Sequence, residues 1–250
     1  MRTLGTQGPE TSEVPTPTPA VPAVDALVIG AMAEEVRPYT ERATEVGPVL
    51  EHGFAAARLL LLDGRHVLVV RSGIGLVNAA SAVVAALARV RPRAVLSTGS
   101  AGGLAADVAV GDVVVGERYT YASADATAFG YARGQVPGMP AAYDADPVLL
   151  GAARAVAPAA GALRTGEMVS GDSFITAANV AEVRQAFPAA LSTDMETTAL
   201  AQVCHAYAVP FLSVRGISDL CGPAADQDFH MAVDEVAARA ADVVLAVLRA

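Results

Sequence analysis

Carboxylate and hydroxyl side chains are concentrated at four places where predicted buried strands end. These segments cover residues 30–35, 98–103, 193–196 and 215–219. In α/β proteins, ligands bind at the carboxyl ends of the strands, so side chains from these segments can meet in one site. Aspartate and glutamate can serve there as general acids or bases. Taken singly, however, Ser, Asp and Glu at such turns are more often helix caps than catalytic groups.

Several common signatures of catalysis and cofactor binding lack a residue that their mechanism needs. The segment 73–78 (GIGLVN) begins like a dinucleotide-binding fingerprint but has Asn78 where a third glycine is required. Thr98 replaces the first glycine of a nucleophile elbow, which makes Ser100 a poor candidate nucleophile. The four histidines show no metal-binding spacing, and there is no GxxxxGK phosphate-binding loop. We therefore predict no cofactor and no metal.

Length and composition restrict the class of protein. The chain has 250 residues, 53% of them hydrophobic, which suffices for one catalytic domain with a sizeable core. A net charge of -9 with scattered Lys and Arg argues against nucleic acid as a partner. Cys204 and Cys221 form no CxxC pair, which indicates neither a disulfide framework nor a zinc site. With no recognisable signal peptide or membrane-spanning run, we expect a cytoplasmic protein that does not bind membranes.

The N-terminal segment differs in composition from the rest of the chain. Residues 1–24 are rich in Pro and Thr, which predicts a disordered tail before a catalytic domain at 25–250. The domain opens with an apolar run at 26–29, typical of a strand buried on both faces. The Asp63-Gly64 dipeptide between the apolar runs 59–62 and 67–70 predicts an antiparallel hairpin.

Strands and helices are predicted to alternate through the remainder of the domain. Further strands are expected at 94–96, 113–115, 168–169 and 211–217. Helices are expected at 76–89, 147–155, 179–186, 197–207 and 229–248. Between them, the Gly- and Pro-containing stretch 122–140 is expected to form a loop. This alternation predicts a three-layer α/β/α sandwich with a mixed central sheet.

Seven short segments, taken together, occur in the order and with the approximate spacing found in a known family. They are 29–35 (IGAMAEE), 72–75 (SGIG), 98–103 (TGSAGG), 127–130 (TAFG), 170–175 (SGDSFI), 194–196 (DME) and 214–219 (VRGISD). Through them the chain resembles the 5′-methylthioadenosine/S-adenosylhomocysteine nucleosidases of the nucleoside phosphorylase superfamily, from about residue 26 to the C-terminus. The resemblance implies a nucleoside phosphorylase-like fold, a small-molecule nucleoside substrate and a homodimer. The implied reaction is hydrolysis of the N-glycosidic bond of a 5′-modified adenine nucleoside.

The resemblance also implies roles for three carboxylates. Adenine leaves poorly as an anion, so such a reaction needs a proton at the base. By resemblance Asp219 is the general acid that protonates the purine N7, and Glu35, rather than Glu34, is the general base that activates water. Glu196 is implied to bind the ribose hydroxyls. Asp219 could instead cap a helix, and both Glu34 and Glu35 could be first-turn residues favoured by the helix dipole.

Other residues are implied as substrate contacts. Phe174 would stack on the adenine, and the backbone of Ile175 would hydrogen bond to it. Arg215 and Ser100 match positions that orient the water and the carboxylates. Phe129 matches a position that reaches the 5′-substituent pocket of the neighbouring subunit. The remaining contacts implied by the resemblance are Ile74, Ala101, Gly102, Met195, Ser218 and Phe229.

Three departures from the family pattern leave the preferred 5′ group open. Asp194 stands where many relatives have Glu, one carbon longer. Thr197-Thr198 replaces small residues, and Ala122-Ser123 replaces a His-Asp pair near the 5′ pocket. Methylthioadenosine, S-adenosylhomocysteine, 5′-deoxyadenosine and aminodeoxyfutalosine therefore all remain candidate substrates.

Two other functions are possible on the same fold. A phosphate-dependent purine nucleoside phosphorylase would need cationic phosphate ligands. Ser97 and the Glu34-Glu35 pair stand where such enzymes carry Arg, although Arg71 and the backbone around Gly102 leave some room for an anion. A non-catalytic nucleoside-binding protein would be expected to lose the acid or the base, and both are present here.

Overall fold

The computed structural model describes residues 21–223 and 225–250, without the side chains of 226–232. The strands of this part of the chain are β1 (Ala23–Val24), β2 (Ala26–Gly30), β3 (Glu45–Val46), β4 (Leu50–His52), β5 (Ala55–Leu62), β6 (Arg65–Arg71), β7 (Arg91–Pro92), β8 (Val95–Gly103), β9 (Val113–Tyr121), β10 (Tyr143–Asp144), β11 (Leu163–Ser170), β12 (Ala190–Asp194) and β13 (Phe211–Asp219). The helices are α1 (Ala33–Arg42), α2 (Leu76–Leu87), α3 (Pro147–Arg154), α4 (Val180–Ala186), α5 (Thr197–Tyr207) and α6 (Ala225–Arg249), and Thr127–Phe129 forms one 3-10 turn.

The central sheet is mixed, as predicted. Strands β2, β6 and β8 run parallel, while β5 pairs antiparallel with β6 and β12 pairs antiparallel with β8. Strand β13 pairs parallel with β8 and antiparallel with β9, and β9 continues through β11 to β12. Because β12 returns to β8, these five strands close a ring of hydrogen-bonded neighbours at one end of the sheet. The ring brings the ends of β8, β12 and β13 together.

Local sequence signals explain the elements that the pattern predicted. The hairpin of β5 and β6 forms around Asp63 and Gly64, whose φ angles of 50° and 77° fit the left-handed turn expected of this dipeptide. Every residue of β2 and of β13 is buried, as expected for strands covered on both faces. Pro147 begins α3, and the Asp146 carboxylate caps it by accepting hydrogen bonds from the next free amides.

The helices pack in two groups against the sheet. Helix α6 packs on β13 and β8 and also contacts α1 and α3, whereas α2 packs on α5. Buried Val, Leu, Ile and Ala side chains from both helix groups and the sheet form one large core. The architecture is the predicted three-layer α/β/α sandwich with a mixed sheet. No helix among the described residues is long and apolar enough to cross a lipid bilayer.

Several element boundaries differ from the sequence prediction. Ala23 and Val24 were assigned to the tail but form strand β1. Their backbone pairs in parallel with β7, the short strand Arg91–Pro92 that precedes β8. The rest of the predicted tail that falls within residues 1–20 lies outside the described residues. The segment 193–196 was placed at a strand end, but no range was given for that strand, β12, since its sequence ALSTD has no continuous apolar run. Helix α6 begins at Ala225 rather than at 229.

Strands β8 and β13 are longer than their apolar cores suggested. The predicted strands ended near Leu96 and Ile217, whereas the observed strands continue to Gly103 and Asp219. The two strands run parallel with Gly99 opposite Arg215 and with Gly102 opposite Asp219. The polar segments expected just after these strands therefore lie within their carboxyl-terminal halves, where the ladder fixes their relative positions.

Candidate active site

One cavity lies where the ends of β2, β8, β12 and β13 meet. Its walls come from the β2–α1 turn, the polar half of β8, the β11–α4 loop, the β12–α5 turn and the end of β13. The lining residues are Ala31, Met32, Glu35, Ile74, Ser100, Ala101, Gly102, Ser173, Phe174, Ile175, Thr193, Asp194, Met195, Glu196, Ser218, Asp219 and Cys221. All four segments singled out in the sequence line this cavity. The ring of strands brings three of them together, and the parallel pairing of β2 with β8 adds the segment 30–35.

Glu35 projects into the cavity from the first turn of α1 and is 2% exposed. Its Oε2 accepts hydrogen bonds from the amides of Ala31 at 2.7 Å and Met32 at 3.1 Å, so the side chain turns back over the start of its own helix. Its Oε1 accepts from the Ser100 amide at 2.9 Å and from the Ser100 hydroxyl at 3.0 Å. These four donors fix the carboxylate, and Glu34 does not line the cavity.

The approach of Glu35 to β8 requires a glycine at position 99. Gly99 has a φ of 142°, in a region that side chains other than glycine rarely adopt. A β-carbon there would overlap the Glu35 carboxyl group and lie 2.8 Å from Nη1 of Arg215. The TGSAGG segment thus has a structural reason for its glycine beside Ser100.

Asp219 ends β13 at the cavity wall and is 2% exposed. Its Oδ1 accepts a hydrogen bond from the Cys221 amide at 2.9 Å, and its Oδ2 lies 3.0 Å from the hydroxyl of Ser218. The hydrogen bond from the Cys221 amide closes a tight turn at the end of the strand. The carboxyl group therefore combines two arrangements that the sequence left open, since it organises the turn and also faces the cavity.

Glu196 reaches the cavity from the β12–α5 turn. Its Oε1 accepts a hydrogen bond from the Gly75 amide at 2.9 Å, and its Oε2 lies 3.7 Å from Nη2 of Arg215. Burial is the largest influence on this group and raises the pKa of Glu196 to about 8, against the opposing charge of Arg215 and with the help of the neighbouring Asp194 carboxylate.

Arg215 lies behind the cavity wall rather than in it. Its side chain is 1% exposed, and its Nε lies 3.1 Å from Oδ2 of Asp194. Nη2 donates to the hydroxyls of Ser97 at 2.8 Å and Thr197 at 3.0 Å. Arg215 therefore contacts the Asp194 and Glu196 carboxylates and does not itself line the cavity.

Asp194 and Thr197, two departures from the family pattern, contact each other. The Thr197 hydroxyl hydrogen bonds to Oδ2 of Asp194, and Oδ1 of Asp194 accepts from the Ser170 hydroxyl at 2.6 Å. The Thr198 hydroxyl donates to the Thr120 carbonyl oxygen at 3.0 Å and also lies 3.0 Å from the Ser170 hydroxyl oxygen. The hydroxyls of Ser170 and Thr197 thus donate hydrogen bonds to Asp194, whose side chain is one carbon shorter than Glu.

The other implied contacts divide into three groups. The first group lines the cavity and comprises Ile74, Ala101, Gly102, Phe174, Ile175, Met195 and Ser218. Phe129 does not line it and is 82% exposed on the single chain. The side chain of Phe229 lies outside the described residues.

Some lining residues were not assigned from the sequence. Ala31, Met32, Thr193 and Asp194 fall in segments that were singled out, and Ser173 falls in the motif 170–175 beside Phe174, but none of them was assigned as a contact. Cys221 lies in none of these segments, and no local signal pointed to it. Among the described residues, no group of three or more His, Cys, Asp or Glu could hold a metal ion.

Comparisons with known proteins show the family to which this chain is similar. The family model described as the phosphorylase superfamily matches residues 25–250. A 5′-methylthioadenosine/S-adenosylhomocysteine nucleosidase of Chromohalobacter salexigens is 40% identical over 225 residues, which cover 89% of this chain and 95% of that protein.

Solved structures give the same result. The 5′-methylthioadenosine/S-adenosylhomocysteine nucleosidase of Neisseria meningitidis in complex with methylthio-immucillin-A superposes with a TM-score of 0.83 at 37% identity, covering 90% of this chain and 98% of that one. The corresponding nucleosidase of Colwellia psychrerythraea in complex with adenine also has a TM-score of 0.83, at 34% identity, covering 90% and 95% of the two chains.

Proposed function

This chain belongs to the 5′-methylthioadenosine/S-adenosylhomocysteine nucleosidase family of the phosphorylase superfamily, and from that membership we propose how its cavity performs the reaction. The chain hydrolyses the N-glycosidic bond of 5′-modified adenine nucleosides and releases adenine. Water adds to C1′ of the ribose while the bond from C1′ to N9 breaks. One proton must leave the water and one must reach the purine, so the reaction needs a base and an acid.

Asp219 supplies the proton to N7 of the purine. The group is buried at the end of β13, beside the backbone of Gly102, where a β-carbon would lie 3.2 Å from Oδ1. The missing side chain at Gly102 lets Asp219 and Cys221 pack closely against β8 at the cavity wall. Protonation at N7 lets adenine leave as a neutral molecule, and the ribose carries the positive charge of the transition state.

Glu35 takes the proton from the attacking water. Three of its four hydrogen-bond donors are backbone amides, which cannot turn away, and the fourth is the hydroxyl of Ser100. Because a hydroxyl can rotate, the Ser100 hydroxyl can turn away from Oε1 of Glu35, which can then accept a hydrogen bond from a water molecule. The hydroxyl can also donate a hydrogen bond to that water or accept one from it. The fixed amides then hold the carboxylate in place during the proton transfer.

Glu196 and Phe174 position the substrate. The carboxyl oxygens of Glu196 can accept hydrogen bonds from the ribose hydroxyls, and the Gly75 amide and Arg215 restrict the orientation of the group. Phe174 is 44% exposed on the β11–α4 loop at the edge of the cavity, where its ring can stack on adenine. In this proposal the β12–α5 turn binds the sugar and the β11–α4 loop binds the base.

The observation that carries this proposal is the burial of Glu35 and Asp219 in one cavity whose described lining includes four carboxyl groups and no Lys or Arg. Phosphate would be repelled by Glu35 and would lack cationic ligands among these residues. Arg71 is exposed and does not line the cavity, and Ser97 is occupied by its bond to Arg215. The arrangement therefore favours water over phosphate as the nucleophile.

The 5′ substituent and the oligomeric state form a second part of the proposal. Methylthioadenosine and S-adenosylhomocysteine are the first substrates to test, with 5′-deoxyadenosine and aminodeoxyfutalosine beside them. Ile74 and Phe129 are both exposed, at 51% and 82%, on the single chain. We propose that the chain forms a homodimer in which Phe129 covers the partner's 5′ pocket, and that the enzyme acts in methionine salvage in the cytoplasm.

The test is adenine release from each of the four nucleosides, with and without phosphate. Release that does not depend on phosphate is the expected result and ranks the substrates. Strict dependence on phosphate would assign the chain to the phosphorylases. Binding of the nucleosides without adenine release from any of them would identify a binding protein instead.

A further inference from the structure

Cys221 adopts a backbone conformation that its side chain makes unfavourable. It follows β13 by two residues, is 1% exposed and lines the cavity beside Asp219. Its φ of 55° lies in the left-handed region, where residues with a β-carbon are uncommon. Such strain persists only where surrounding contacts fix it, and it is frequent in active sites.

Two groups of Cys221 contact the same carboxylate. Its amide donates a hydrogen bond to Oδ1 of Asp219 at 2.9 Å, and its thiol also hydrogen bonds to the Asp219 carboxyl group. Gly102 leaves the space that this pair occupies, since a β-carbon there would lie 2.6 Å from Sγ of Cys221 and 3.2 Å from Oδ1 of Asp219. Arg184 secures the turn by donating to the carbonyl oxygens of Leu104 at 2.7 Å and Leu220 at 3.4 Å.

The thiol stays protonated over the range in which the enzyme would act. Burial raises the pKa of Cys221 to about 12, and the Asp219 carboxylate adds to this effect against the opposing charge of Arg184. Across the cavity, the described charged groups that face this corner are Glu35, Asp194 and Glu196. The thiol is therefore a permanent hydrogen-bond donor to the carboxyl group rather than a nucleophile.

We propose that Cys221 is a positioning residue that sets the pH range over which Asp219 acts as an acid. The inference rests on the proposed role of Asp219. A donor to a carboxylate stabilises the ionised form, so the thiol makes Asp219 a stronger acid toward the purine. Without the thiol, the carboxyl group holds its proton to a higher pH.

The test compares the pH dependence of the single-turnover rate in the natural enzyme, Cys221→Ala and Cys221→Ser. The descending limb at high pH should move upward by about half a pH unit in Cys221→Ala, the shift that a weak hydrogen bond produces. Cys221→Ser, which keeps a donor, should leave the limb unchanged or move it to lower pH. Cys221→Gly, which relieves the positive φ, replaces the alanine variant if that variant does not fold.

Asp219→Asn separates this inference from the proposed function. If Asp219→Asn retains the natural turnover, the acid role itself is wrong. If Asp219→Asn is inactive, the alanine, glycine and serine variants of Cys221 can still lose activity at the same high pH as the natural enzyme. In that case only the role of Cys221 is wrong. Equal shifts in the alanine and serine variants would also overturn it, because they would reflect altered packing and not a lost donor.

Discussion

The amide of Gly75 donates a 2.9 Å hydrogen bond to Oε1 of Glu196, across 121 residues of sequence. Gly75 precedes the first turn of α2, where backbone amides have no partner within the helix. The neighbouring Leu76 amide donates to Oδ1 of Asp172 at 2.8 Å. One helix terminus thus holds a carboxylate of the cavity and also a residue of the loop that carries Phe174.

Glu196 is expected to make stability depend on pH. Its pKa is raised from 4.5 to about 8 in the folded protein, so the folded state binds a proton that the unfolded state has released between these values. The contribution of Glu196 to stability is full below about pH 4.5 and is lost as the pH rises through about 8. Glu196→Gln should flatten this decline, as measured by urea unfolding over the same range. Glu34→Gln is the control, and equal slopes in natural protein and Glu196→Gln would contradict the assignment.

Loss of either proposed proton carrier should strongly reduce turnover while substrate still binds. Asp219→Asn and Glu35→Gln are each expected to lower kcat by about 10²-fold or more, because an amide cannot transfer the required proton. Glu34→Gln changes the adjacent residue, which does not line the cavity, and should keep the natural kcat. Adenine release and calorimetric binding of methylthioadenosine measure the two effects. Natural turnover in either cavity variant would refute its role.

Ser100→Ala tests the rotating hydroxyl beside the base. The variant keeps the Ser100 backbone amide bond to Glu35 but loses the hydroxyl bond of 3.0 Å. We expect kcat to fall about 10-fold with KM nearly unchanged, because the water loses a partner while the binding surfaces stay intact. Steady-state kinetics of adenine release measures the split. A change confined to KM would show that the hydroxyl binds substrate and does not orient water.

Asp172 is expected to hold the β11–α4 loop against α2. Asp172→Ala removes the cap on the Leu76 amide, which costs about 1 kcal/mol of stability, and should raise KM through a less ordered Phe174. Asp172→Asn provides the matched control, since Asn caps helices as well as Asp. Thermal unfolding and KM for methylthioadenosine are the measurements. If the asparagine variant behaves like alanine, the charge and not the cap is what matters.

Thr197 supports the ion pair behind the cavity. Its hydroxyl contacts Asp194, lies 3.0 Å from Nη2 of Arg215 and 2.9 Å from the Ser213 hydroxyl. Thr197→Val keeps the shape but leaves these buried groups without a partner, so we expect a loss of about 2 kcal/mol in the free energy of unfolding. Thr197→Ser should remain near the natural value. Denaturant unfolding compares them, and equal stability of the valine and natural proteins would contradict this role.

Local patterns in the sequence were sufficient for much of the fold. The hairpin around Asp63 and Gly64, the buried strand β2 and helices α2, α3 and α5 follow from turn chemistry and periodicity, which act between residues close in the chain. The bounds of strand β12 did not follow from local patterns, because its sequence ALSTD resembles a polar loop. Its strand conformation depends on pairing with β11 on one side and β8 on the other. The ends of β8 and β13 were also misjudged, since pairing with each other extends them past their apolar cores.

The sequence by itself determined the family, through seven spaced segments, and with it the reaction and the candidate carboxylates. Only the tertiary structure decided which groups meet. It placed Glu35, and not Glu34, against Ser100, 65 residues away, and it put Arg215 behind the wall. It also brought Cys221 to Asp219. These outcomes depend on strand register and on the closed ring of five strands, which join residues far apart in the chain and leave no local periodicity to read.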